Sequence, residues 1–222
     1  MQDLRSLYNQ ALSAVGSAAD VTDPERSSRS VDLLKLWYPV ARRSVFTAAH
    51  WWSLRRSQRL TRALERDESL PWANSDPAPD FKYAFALPVD MLQPQYMENF
   101  SVFRLGRVGD ENLLFTNDEF PILNYTHDDP NPARWEPDLY RAVVWALAAC
   151  INMAKNGKAG LTQKLEQQVY DIVSDAAVNS ANADDTYFDA VPSFYSGTGF
   201  AIPQVSTRFY YPTTTFRVSG GL

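Results

Sequence analysis

Cysteine and histidine are scarce: the chain has one cysteine, Cys150, and two histidines, His50 and His127. An intramolecular disulfide is therefore excluded, and zinc sites of the usual Cys/His ligand count nearly so. Long apolar runs are missing too. No stretch approaches the roughly 18 to 20 apolar residues needed to span a bilayer. The opening segment carries Asp3 and Arg5 and no basic region followed by a continuous apolar stretch, so it does not read as a signal peptide. Nor is there a surplus of positive charge. The net charge is −5 and the pI about 5.1, which leaves no global field to draw the chain to nucleic acid or acidic membranes. What is there is ordinary globular composition over 222 residues, 45% hydrophobic and 21% charged, with room for one domain or a small pair around a sizeable core. These scarcities predict a soluble intracellular chain that is not an enzyme and needs no cofactor or metal.

Periodicity predicts helices at both ends of this core. Leu4, Leu7, Tyr8, Ala11, Leu12 and Val15 recur at steps of three and four, with Gly16 as a stop. A second helix is expected from Thr22-Asp23-Pro24-Glu25 to about Ala49, with Thr22 capping and Pro39 kinking or breaking it. Its stripe is Val31, Leu34, Trp37, Tyr38, Ala41, Val45 and Ala48, and Arg42 and Arg43 fall on the solvent or partner side. Asp138 to Asn156 is apolar nearly all round and reads as the central helix, and Leu161 to about Ala183 as the last. Between these pairs the pattern changes. Ser53 to Leu60 reads as a strand, residues 68–80 as a proline-rich loop, and Phe81 to about Tyr125 as short strands separated by Gly106, Gly109-Asp110 and Asn117-Asp118. Residues 126–137 read as a further loop.

The chemistry-bearing residues are few. His127-Asp128-Asp129 sits among prolines and reads as a solvated turn rather than a metal or acid/base cluster. His50 reads as a helix-end cap or packing residue, and Cys150 as inert core. Asn156-Gly-Lys-Ala-Gly-Leu-Thr has the letters of a phosphate loop in the wrong order. A pair of carboxylates for glycoside hydrolysis is not selected by any pattern; a cell-wall hydrolase using such a pair is the alternative function.

Arg55, Arg56, Arg59, Arg62 and Arg66 form a basic run, while residues 71–140 hold four basic and twelve acidic residues, a net of −8. An electrostatic match between or within subunits is the preferred reading of this contrast over DNA binding. The last segment, 186–222, contains Tyr187, Phe188, Phe194, Tyr195, Phe200, Phe209, Tyr210, Tyr211 and Phe216 and only three charges. It reads either as the final strands of the domain or, preferably, as an interaction arm whose aromatic anchors grip a neighbour or partner. Fully extended, it would reach on the order of 120 Å.

The order of these pieces resembles the tail tubular protein A family, the head-to-tail adaptor (connector) proteins of short-tailed, podovirus-type bacteriophages. Four places carry the likeness. Leu7-Tyr8-Asn9-Gln10-Ala11-Leu12-Ser13-Ala14-Val15-Gly16 looks like the family's opening helix, and Asp23 through Trp51 like its second. Phe81-Lys82-Tyr83-Ala84-Phe85-Ala86-Leu87-Pro88-Val89-Asp90-Met91-Leu92 is similar to its "W-x-Y-A-Y-x-L-P-x-D-C-L", with Phe81 and Met91 in place of the usual Trp and Cys. Asn124-Tyr125-Thr126 through Tyr140, then Ala142 to Ala154, matches its proline-punctuated segment and following helix, with Trp135 near the usual Phe. The likeness spans roughly residues 5–184 and leaves the aromatic tail outside.

The resemblance implies a mainly α fold, a helical bundle from 1–50 and 133–185 with a small β-rich insertion at 51–132, to which the composition of 186–222 adds an extended arm. It implies a virion structural protein assembled in the host cytoplasm. Such adaptors form a homo-oligomeric ring, expected to be dodecameric, between portal and tail nozzle. The genome passes through its channel without sequence-specific binding, and no membrane is involved. The helices are expected to pack between subunits and the β part to face the nozzle, with the arm on the portal or the neighbouring subunit.

Overall fold

The structure, a computed structural model, describes residues 2–17, 20–65, 80–155 and 157–183. Helix α1 (Leu4–Ala14) starts where the Asp3 side chain accepts the Ser6 amide at 2.7 Å. It ends at Gly16, whose φ of 72° lets the Gly16 and Ser17 amides turn back to the Ser13 and Leu12 carbonyls. Helix α2 (Arg29–Phe46) is capped by Ser28, whose hydroxyl accepts from Val31 N. The expected start at residues 22–25 is corrected. Asp23 accepts the Glu25 amide in a local turn of its own, which competes with the helix. The helix runs through Pro39 as one element, without the expected break.

Helix α3 (Pro137–Lys155) is the hub on which α1, α2 and α4 (Ala159–Ala183) all pack. Small residues, Ala142, Ala148 and Ala149, bring its neighbours close, and Leu139, Val143, Leu147 and Ile151 fill the space between. The α3–α4 turn is fixed from inside. Buried Asn152 donates to Lys158 O at 2.9 Å and to Thr162 Oγ1 at 2.8 Å, and Gly157 takes a φ of 60°.

Among the described residues seven strands lie between α2 and α3: β1 (Arg55–Arg59), β2 (Arg62–Glu65), β3 (Tyr83–Ala86), β4 (Met91–Met97), β5 (Phe103–Val108), β6 (Glu111–Thr116) and β7 (Ile122–His127). They form two antiparallel sheets, β1-β7-β4 and β2-β3-β6-β5. Phe85 and Leu114 from the four-stranded sheet meet Met97, Leu123 and Tyr125 from the other in one apolar cluster. Alternate residues of the same strands, Ala84, Leu113 and Phe115, join Phe81 in a second. Among the described residues no helix is long and apolar enough to cross a membrane.

The mainly α expectation is therefore corrected: the fold is α+β, with two antiparallel sheets beside four helices among the described residues. The β part has cores of its own and is not a small appendage. Two of its strands escape the alternation rule. In β4 the sequence Met-Leu-Gln-Pro-Gln-Tyr-Met is irregular because the register shifts around Pro94. In β7 both faces are buried, Leu123 and Tyr125 on one and Asn124 and Thr126 on the other, so polar and apolar positions do not sort into out and in. The expected extended arm lies outside the described residues.

Candidate functional site

The β4–β5 connection, residues 98–102, and the β6–β7 connection, residues 117–121, meet at one end of the sheets. Short polar side chains build the junction. Asn99 Nδ2 donates to Asp118 Oδ2 at 2.5 Å, Asp118 Oδ1 accepts the Phe120 amide, Asn99 Oδ1 accepts the Ser101 amide, and Thr116 Oγ1 donates to Val102 O. With their polar groups so used, these turns hold their large apolar side chains outward. Phe100 is 45% exposed, Phe120 63% and Val102 76%, far from the interior expected of such residues.

Phe100 is the one non-glycine residue with positive φ, 56°, among the described residues. A bulky side chain in this conformation costs about 1–3 kcal/mol. The strain is held by the Phe100 amide on Met97 O at 2.9 Å and by the Tyr96 ring, stacked at 5.9 Å and 9°. Arg59, at the end of β1, lays its guanidinium over Phe120 at 5.9 Å. Glu98 and Glu119 are exposed on the same two connections. The apolar tip is the three exposed residues of these joined connections, Phe100, Val102 and Phe120, with charged residues between them in sequence, a composition suited to binding protein.

A second polar cluster joins the helices to the sheets. Arg42 is one turn from both Tyr38 and Phe46 on α2, and its guanidinium lies between their rings at 5.3 and 5.7 Å. It donates to Asp128 Oδ1 at 2.5 Å, just past the end of β7, and Arg43 donates to Oδ2 at 2.9 Å. Asp129 is buried, 3.9 Å from His127 Nε2 and 3.8 Å from Arg134, while His127 Nδ1 donates to Leu54 O. Two expectations are corrected here. Arg42 does not face solvent, because its spacing from Tyr38 places it on the buried face. His127-Asp128-Asp129 is not a solvated turn, because Arg42 and Arg43 draw it against α2. Among the described residues no three of His, Cys, Asp and Glu are grouped as a metal site. Burial pushes the Cys150 thiol up, away from the reactive thiolate.

The arginine run is divided by its strand. Arg56 is paired with Asp90 of its own chain, whose other oxygen accepts from the Tyr125 hydroxyl at 3.0 Å. Burial first, and this bond second, push Tyr125 up. Arg55 lies opposite Thr126 and Arg59 opposite Ile122, on the alternate face of β1. Arg62 opens β2, paired with Phe85 of β3. Arg66 and the nine aromatic residues from Tyr187 to Phe216 lie outside the described residues. Arg59 reaches the apolar tip through its contact with Phe120. Phe100, Val102 and Phe120 escaped the sequence reading, although a signal existed: Asn99-Phe100-Ser101 and Asp118-Glu119-Phe120 put large apolar residues among turn formers. The chain matches no family model and no curated protein.

Proposed function

We propose that the chain is a virion structural subunit without catalytic activity: a head-to-tail adaptor whose ring joins the portal to the tail nozzle and surrounds the path of the genome. The order of sequence motifs supports the family, and the tip of Phe100, Val102 and Phe120 supports a subunit made to bind protein. The carrying observation is Phe100. A lone chain gains only the Tyr96 stack from holding a phenylalanine at its surface in a costly conformation, whereas a partner with a matching pocket buries the exposed part of the ring without reordering it. In this reading the tip seats the nozzle. The segment from Tyr187 to Phe216 grips the portal or the adjacent subunit, and Arg55, Arg56, Arg59 and Arg62 help set register. Assembly takes place in the host cytoplasm and the product resides in the virion.

The test is to image the full chain by negative stain and weigh it by mass photometry, alone and with the portal and nozzle proteins of a short-tailed phage. Rings that bind both are expected. Replacing Phe100 and Phe120 by Asp should release the nozzle and leave the ring and its portal contact intact. A chain that stays monomeric and binds neither protein overturns the proposal.

A further inference from the structure

The β4–β5 connection leaves the three-stranded sheet for the four-stranded one, and the β6–β7 connection returns. At the base of the two crossings Glu98 N donates to Ile122 O at 3.0 Å. Further out, two side chains work in the same way. Asn99 Oδ1 accepts the amide two residues ahead, Ser101, at 3.1 Å, and Asp118 Oδ1 accepts the amide two residues ahead, Phe120, at 3.0 Å. Each of these turns uses one arm of its side chain on its own backbone. The remaining arms, Asn99 Nδ2 and Asp118 Oδ2, meet at 2.5 Å. One turn carries Phe100 at its middle and leads to Val102, and the other ends on Phe120. The bond between the arms therefore links the two stretches that carry all three exposed apolar side chains.

The joint needs one partner of each kind. Two aspartates would set carboxylate against carboxylate. Two asparagines, each with its oxygen held by its own turn, would set one NH2 group against another. Asparagine with aspartate is matched, in either order. Asn99 is exposed and Asp118 half-buried, and neither belongs to an apolar cluster, so this bond does not hold the cores of the sheets together.

We propose that Asn99 and Asp118 are the positioning residues of the tip. Their hydrogen bond fixes the two connections against each other before a partner arrives, so that Phe100, Val102 and Phe120 are presented as one pre-formed surface. Binding then orders no loop, and the affinity that loop ordering would cost is retained. The role rests on the reading of this tip as the surface that seats the nozzle, and it names the residues that make the tip ready to do so.

The experiment compares the full wild-type chain with D118N, N99D and the exchanged pair N99D/D118N, and circular dichroism checks that all fold. Nuclear magnetic resonance follows hydrogen exchange of the Ser101 and Phe120 amides in the free chain. Biolayer interferometry measures affinity for the nozzle protein of a short-tailed phage. Each single variant should exchange these amides about 10-fold faster and bind about 10-fold more weakly, whereas the exchanged pair should return to within about 3-fold of wild type in both. Recovery separates positioning from direct contact, because the exchange moves the carboxylate from position 118 to position 99 and restores the bond. Single variants whose amides exchange as in wild type overturn the joint. Fast exchange with wild-type affinity overturns the positioning role and leaves the tip reading standing. An exchanged pair that regains slow exchange but not affinity means that the partner touches Asp118 itself, which also overturns the role. A wild-type chain that binds no nozzle protein overturns the tip reading and this role with it.

Discussion

Replacing Asp128 by Ala tests whether the helices and the sheets are fastened by a desolvated ion pair. The Arg42 and Asp128 side chains are 8% and 14% exposed, so water neither screens the pair nor rescues a partner left alone. Removing one member of a buried pair costs about 3–5 kcal/mol, since the other charge stays buried without compensation. Two features set the cost here near the lower bound. The Arg42 guanidinium keeps the faces of Tyr38 and Phe46, and the Tyr38 hydroxyl still holds Pro130 O at 3.0 Å. Arg43, 59% exposed, simply returns to solvent and adds little. The expectation is a loss of about 3 kcal/mol, and with roughly 2–4 °C per kcal/mol for a chain of this size, a fall in Tm of about 6–12 °C. Arg42→Met is the informative companion. It leaves Asp128 bound to Arg43 and fills the space between the rings, so its cost should be nearer 1 kcal/mol. Urea unfolding of the full chain, followed by far-ultraviolet circular dichroism, measures both losses. If D128A loses less than about 1 kcal/mol, or R42M loses more than D128A, the pair is not desolvated and the reasoning fails.

Phe100→Gly relieves the positive-φ strain but gives up the Tyr96 stack and loosens the unfolded chain, so stability should stay within about 1 kcal/mol of wild type while nozzle binding is lost; a variant that binds normally removes Phe100 from the interface. Burial raises Glu136, whose Oε1 accepts from the Ser53 hydroxyl at 3.2 Å, above its ordinary 4.5. A carboxyl raised by folding favours the fold fully below its unfolded value, and that contribution disappears as pH rises through the folded one. Melting temperatures followed from pH 4 to 7 should therefore show wild type falling behind Glu136→Gln as pH rises, and the opposite trend refutes the assignment. Burial also raises Tyr8 from 10.0 to about 12, so the fold should weaken between those pH values as unfolding releases the proton. Tyr8→Phe should resist alkali better than wild type, and equal alkaline midpoints in a fluorescence titration would exclude this cause.

How far the fold was legible depended on whether the information lay within one element. The stripes of α1, α3 and α4 are local, and periodicity found them. The start of α2 was misplaced because Thr22 and Ser28 both read as caps, and the turn between Asp23 and Glu25 takes up the first of the two segments. Arg42 sits at a helix position that, read as sequence, is only polar; its burial makes sense once Asp128, 86 residues on, supplies the countercharge. In the same way β7 looks undecided until strands lie on both sides of it. The tip shows the converse, since Phe100 breaks the local rule that turns are polar, and such a break is expected where a partner and not the chain itself buries the side chain.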